Sequence, residues 1–202
     1  MKAILQRVKS ASVTVDDNLI SSIGKGLLVF AAVAKDDTEK EVDVMASKIL
    51  KVKMWDDEKG GRWKRNVQEI NGEVLCVSQF TLYATTKKGN KPDFHKSAGG
   101  SQARTLYDRF YSQVESSYSK DRVKNGVFAA MMDVGLVNDG PVGVDYRCED
   151  SAVTIEINTD PPKDYVDVPE PQEDSVAGTL SNFKGGSGEV HKTFTLPAEL
   201  LE

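Results

Sequence analysis

Histidine and cysteine are scarce, with two of each among 202 residues, and no apolar run approaches the roughly 20 residues of a membrane-spanning helix. His95 and His191 are too few for a histidine-built metal site, and neither lies in a pattern that marks the hub of a Ser-His-Asp triad. Cys76 and Cys148 lie far apart without metal-ligand spacing, so each is expected as a buried free thiol in a reducing compartment. The start, Met1-Lys2-Ala3-Ile4-Leu5-Gln6-Arg7, meets charge too early for a signal-peptide core. The expectation is a cytoplasmic protein that uses no metal, no cofactor and no membrane.

What is present suits a globular domain with an appendage. Hydrophobic residues make up 39% and charged residues 28% of the chain. The net charge of −5 is uneven: residues 158–202 hold nine acids against three lysines, −6, so residues 1–157 carry +1. Five of the seven prolines and the run Gly185-Gly186-Ser187-Gly188 also fall in that last stretch. A folded domain at 1–157 and a disordered acidic tail at 158–202 are expected.

Within the domain, Ala11, Val13 and Val15 alternate with polar residues as a half-buried strand does, and Leu27 to Val33 form a continuous apolar run that fits a central strand. Thr38 and Glu41 form a capping box, after which Val42, Met45, Ala46, Ile49 and Leu50 share one helical face. Val74 to Leu82 starts as a buried strand and turns polar midway. Ser101 is placed to cap a second helix with the stripe Ala103, Leu106, Phe110 and Val114. Met132, Val134 and Leu136 alternate before the turn Asn138-Asp139-Gly140-Pro141, and Val153 to Ile157 forms a last strand. The order predicts an α/β (α+β) single domain, with two main helices on a mixed or mainly antiparallel sheet.

Three segments are candidates for chemistry. Ser78-Gln79-Phe80-Thr81 is either a strand leaving the core or a strand end presenting a hydroxyl and N–H donors to a reacting ester. Asn138-Asp139-Gly140-Pro141 alone reads as an ordinary turn. The loop from Thr85 to Lys96, with Lys87, Lys88, Lys91 and Lys96 against Asp93, is either a solvated loop or a phosphate-binding one. Arg62-Trp63-Lys64-Arg65 extends that positive surface, unless Trp63 is a core anchor.

The ordered set Met1-Lys2-Ala3-Ile4-Leu5-Gln6-Arg7-Val8, Ser78-Gln79-Phe80-Thr81-Leu82, Lys91-Pro92-Asp93-Phe94-His95, Gly126-Val127-Phe128-Ala129-Ala130-Met131-Met132 and Leu136-Val137-Asn138-Asp139-Gly140-Pro141-Val142 resembles the D-aminoacyl-tRNA deacylases, over Met1 to about Ile157. The resemblance implies the fold of that family and hydrolysis of the ester of D-aminoacyl-tRNA, and of glycine mischarged on alanine tRNA, as proofreading. It implies a homodimer with active sites at the interface. Catalysis would fall to Ser78, Gln79, Phe80 and Thr81, assisted by the terminal ribose 2′-hydroxyl. A cis Gly140-Pro141 loop would hold the substrate amino group and exclude L side chains. Ser97, Phe128, Ala129 and Met132 would line the adenosine pocket, and Lys87, Lys88 and Lys91 would meet tRNA phosphates.

Two departures stand out. The family pattern Phe-Gly-Ala is Phe128-Ala129-Ala130 here, and nine residues, Gly143 to Ser151, intervene where the pattern runs on into its last strand. They leave two rivals open: a deacylase shifted towards glycine or misacylated L-alanine, and a nucleic-acid-binding homologue with impaired catalysis.

Overall fold

A computed structural model describes residues 1–87, 89–140 and 153–159. Lys88, Pro141, Cys148, the 143–151 stretch and the tail from residue 160 onward lie outside the described residues. The strands are β1 (Lys2–Val15), β2 (Asn18–Ile23), β3 (Gly26–Ala32), β4 (Glu73–Ser78), β5 (Val123–Asn125), β6 (Asp133–Asn138) and β7 (Thr154–Asn158). Two helices, α1 (Glu39–Lys51) and α2 (Gly100–Ser117), pack with them.

β1 is the spine. β2 and then β3 run antiparallel along one of its edges, and β6 and then β7 along the other. Ala3 and Leu5 face the helices, whereas Val8, Ala11 and Val13 belong to the second core. The exchange of faces occurs at Lys9, an extra residue between the pairs Val8–Asn138 and Ser10–Val137. One inserted residue inverts the alternation, because strand side chains repeat every two positions. The β1–β2 turn places Asp16 and Asp17 at φ +49° and +63°, the left-handed geometry that matches the twist of a two-residue hairpin.

β4 adds in parallel to β3, and β5 in parallel to β4, so the sheet is mixed. It curls into a nearly closed shape: the Ser21 hydroxyl on β2 donates to the Asn125 carbonyl on β5 at 2.7 Å. Leu27, Leu28 and Val29 on β3 are fully buried, each contributing about 1.5–3 kcal/mol of transfer free energy.

α1 forms as its sequence predicts. Thr38 accepts from Lys40 N–H, Glu41 accepts from Thr38 N–H at 2.8 Å, and the five predicted apolar residues are buried. The Thr38 hydroxyl, which also donates to Glu41 at 2.5 Å, and then the Thr38 N–H hold the Glu41 carboxyl below its ordinary pKa. α2 corrects one detail. Gly99 occupies the cap position without a side-chain bond, and Ser101 lies inside the helix. The helix starts earlier because Ala103 N–H already reaches the Gly99 carbonyl at 2.8 Å. Tyr107 joins Leu106, Phe110 and Val114 in its buried stripe. Trp63 is half exposed, at φ +54°, while Trp55 is the buried tryptophan.

β7 runs to Asn158, and the Met1 amino group bonds both Asp37 and Thr159 at 2.5 Å. No helix of the described residues is long and apolar enough to cross a membrane.

Candidate functional site

Three parallel strands, β3, β4 and β5, end on the same side of the sheet. Backbone groups there run out of ladder partners, and ligands of parallel sheets bind beyond such carboxyl ends. A pocket of about 760 Å³ opens at this point, bounded by Ala31 and Ala32 from β3, Val77 and Ser78 from β4, Gly100, Ala103 and Tyr107 from α2, and the 128–132 segment. It gathers Ser78, Gln79 and Phe80 with Ser97, Phe128, Ala129 and Met132.

Thr81 lies just outside the lining, in the one-turn 3₁₀ helix Phe80–Tyr83 that follows β4. Its hydroxyl accepts from Gln79 Nε2 at 2.6 Å. The N–H groups of Phe80 and Thr81 open this turn, where no acceptor exists within the helix.

Among the described residues, no lysine, arginine, histidine or carboxylate lines the pocket. The one ionisable group among the described lining residues is Tyr107, whose hydroxyl donates to Asn125 Oδ1 at 2.7 Å and is pushed well above its ordinary pKa by burial. Behind the wall, burial raises the Cys76 thiol to about 12, which makes it an inert free cysteine. His95 Nδ1 pairs with Asp93 in its own loop, but the ring is 91% exposed and does not line the pocket.

The aromatic walls are built by packing. Phe80 and Phe94 meet edge to face with ring centres 5.2 Å apart. Phe128 leans on Tyr107 at 5.6 Å, and the Arg104 guanidinium lies over its ring at 5.7 Å. Met132 is drawn inward as its sulfur accepts from Val127 N–H at 3.3 Å. Ala129 has φ +62°, a conformation that costs an L residue about 1–2 kcal/mol and explains why glycine suits this position.

Gly140 does not join this pocket within one chain. It follows β6 at φ +110°, beside Asp139. Arg7 anchors that end: Nε stands 3.3 Å from Asp139 Oδ2, and Nη1 donates to the Met54 carbonyl at 2.7 Å. Gln6 Nε2 donates to Asn138 Oδ1 at 2.5 Å. Arg7 shapes this end without a signal in the sequence, since β1 also carries Lys2, Gln6 and Lys9. Lys87 and Lys91 lie exposed in the loop closed by the Thr85–Asp93 bridge.

The family described as D-Tyr-tRNA(Tyr) deacylase matches residues 4–146. A D-aminoacyl-tRNA deacylase of Yarrowia lipolytica is 51% identical over 148 residues, 72% of this chain and 96% of that protein. One of Schizosaccharomyces pombe is 47% identical over 146 residues, 72% of this chain and 97% of that one. Among solved structures, the c-Myc DNA Unwinding Element Binding Protein superposes with a TM-score of 0.71 at 42% identity, covering 80% of this chain and all of that chain. By the family match and by relatives this similar over nearly their whole length, the chain belongs to the D-Tyr-tRNA(Tyr) deacylase family of hydrolases.

Proposed function

We propose that the chain hydrolyses the ester of D-aminoacyl-tRNA, and of glycine mischarged on alanine tRNA, as a proofreading step in the cytoplasm. The observation that carries the mechanism is that no described residue lining the pocket has a side chain able to act as a general base near neutral pH. Such a pocket suits a substrate that brings its own hydroxyl. The terminal ribose 2′-OH orients and helps activate water, which adds to the ester carbonyl. The oxyanion is received by the N–H groups of Phe80 and Thr81, and the 3′-oxygen leaves and takes up a proton. Ser78 and Gln79 orient the ester, while Phe128 and Met132 form the wall for adenine.

Handedness is assigned to Gly140 and Pro141, whose carbonyls hold the α-amino group so that an L side chain clashes. Because Gly140 lies apart from its own chain's pocket, we assign it to the pocket of a second copy in a homodimer. Exposed Val137 on β6 and Leu19 on β2, opposite Ser10 and Thr14 on one face of β1, support such an apolar contact.

Thr81→Ala separates this mechanism from covalent catalysis. It loses one hydroxyl already bonded to Gln79, so kcat/KM on D-Tyr-tRNA is expected to fall by less than about tenfold. Complete loss in a folded variant, read by single-turnover hydrolysis, would establish Thr81 as a nucleophile instead. The similarity to a protein named for DNA binding keeps one rival in view: a homologue that holds aminoacyl-tRNA without releasing the amino acid.

A further inference from the structure

Among the described residues no charged side chain lines the pocket, but a cation stands beside its Phe128 wall. Arg104 projects from the second turn of α2, and its guanidinium covers the Phe128 ring on the wall proposed to take adenine. Its ion pair with Asp108, one turn along the helix, is long at 3.7 Å. The two side chains are 64% and 57% exposed, so that pairing is weak and open to competition. No acidic residue lies in the first turn of α2 to oppose an incoming anion. A planar guanidinium can stack on an aromatic ring and still present its N–H fork sideways, which suits a phosphodiester better than an ammonium does.

We infer that Arg104 binds the phosphate on the 5′ side of the terminal adenosine. This rests on the deacylase reading and on adenine at Phe128. Adenosine is neutral, and the first negative charge met along the strand from the ester is that 5′ phosphate. The contact is remote from the reacting carbonyl, so it sets affinity for the RNA end and leaves the chemistry alone. It differs from the lysines of the 85–96 loop, because a single nucleotide is enough to reach it.

The test uses the full chain with two minimal substrates, the D-tyrosyl ester of adenosine and that of adenosine 5′-phosphate. Wild type is expected to favour the phosphorylated ester about tenfold in kcat/KM, through KM. Arg104→Gln abolishes that preference and leaves the phosphate-free ester within about twofold of wild type, whereas Arg104→Lys restores part of it. An unchanged preference in Arg104→Gln, or equal losses on both esters, would overturn the inference, the latter reducing Arg104 to a support for Phe128. Failure of wild type to cleave either ester would instead overturn the deacylase reading on which it stands.

Discussion

Gly140→Ala is expected to lower the preference for D- over L-tyrosyl-tRNA by about 100-fold, without unfolding the protein, the scale of loss for a misplacement of about 1 Å at a reacting centre. Gly140 has φ +110°, a backbone region that an L side chain rarely adopts. Asp139 just before it is tied to Arg7 and to the β1 backbone, its N–H donating to the Arg7 carbonyl at 3.1 Å. With that side clamped, the added methyl strains the backbone of Gly140 itself, a residue assigned to chiral selection. Exclusion by shape depends on rigid placement, so a small shift both weakens the grip on the amino group and admits the L side chain. Single-turnover rate constants on D- and L-Tyr-tRNA give the ratio. An unchanged ratio would remove Gly140 from the selector.

The second large effect is on stability. Gly26→Ala is expected to cost about 4 kcal/mol or more, measured by urea denaturation, with loss of the folded protein as the extreme outcome. Gly26 pairs with Glu73 where β3 and β4 first meet. A Cβ at Gly26 would overlap the Glu73 carbonyl oxygen and stand 2.6 Å from the Glu73 nitrogen. Those are backbone atoms, and Glu73 N–H also donates to the Lys25 carbonyl at 3.0 Å, so nothing flexible can yield. The parallel β3–β4 pairing carries the strand ends that open the pocket, and the fold and the site are therefore lost together. A stability change below about 1 kcal/mol would show that this approach relaxes easily.

The comparison of α1 with β1 explains what the sequence reveals. Every signal of α1 is local: a capping box followed by apolar residues at helical spacing, all of which the structure buries. β1 is 14 residues long, yet only its second half reads as a strand, because the extra Lys9 inverts the alternation between Leu5 and Ala11. β5, only Val-Lys-Asn, is too short for any period to emerge. Gly99 displaced Ser101 as the cap because a preceding residue with free backbone had already joined the helix.

The site divides in the same way. Ser78, Gln79 and Phe80 leave a buried strand together, so their neighbourhood is written in consecutive letters. Ser97, Phe128, Ala129 and Met132 reach the same pocket from distant segments, and only their resemblance to a family linked them in advance. Tyr107, packed against Phe128, and Arg104, whose guanidinium lies over its ring, carry no such signal. Their positions depend on how α2 docks beside the segment after β5, a tertiary fact. Gly140 reads in sequence as part of an ordinary turn; only the resemblance sets it at an interface site, and in the single chain it stands outside the pocket that holds Ser78.

The most direct measurement is hydrolysis of D-Tyr-tRNA and L-Tyr-tRNA by the full 202-residue chain under single-turnover conditions. The account predicts release of D-tyrosine with the L ester spared. Retention of both aminoacyl-tRNAs without release, or equal cleavage of the two, would contradict it.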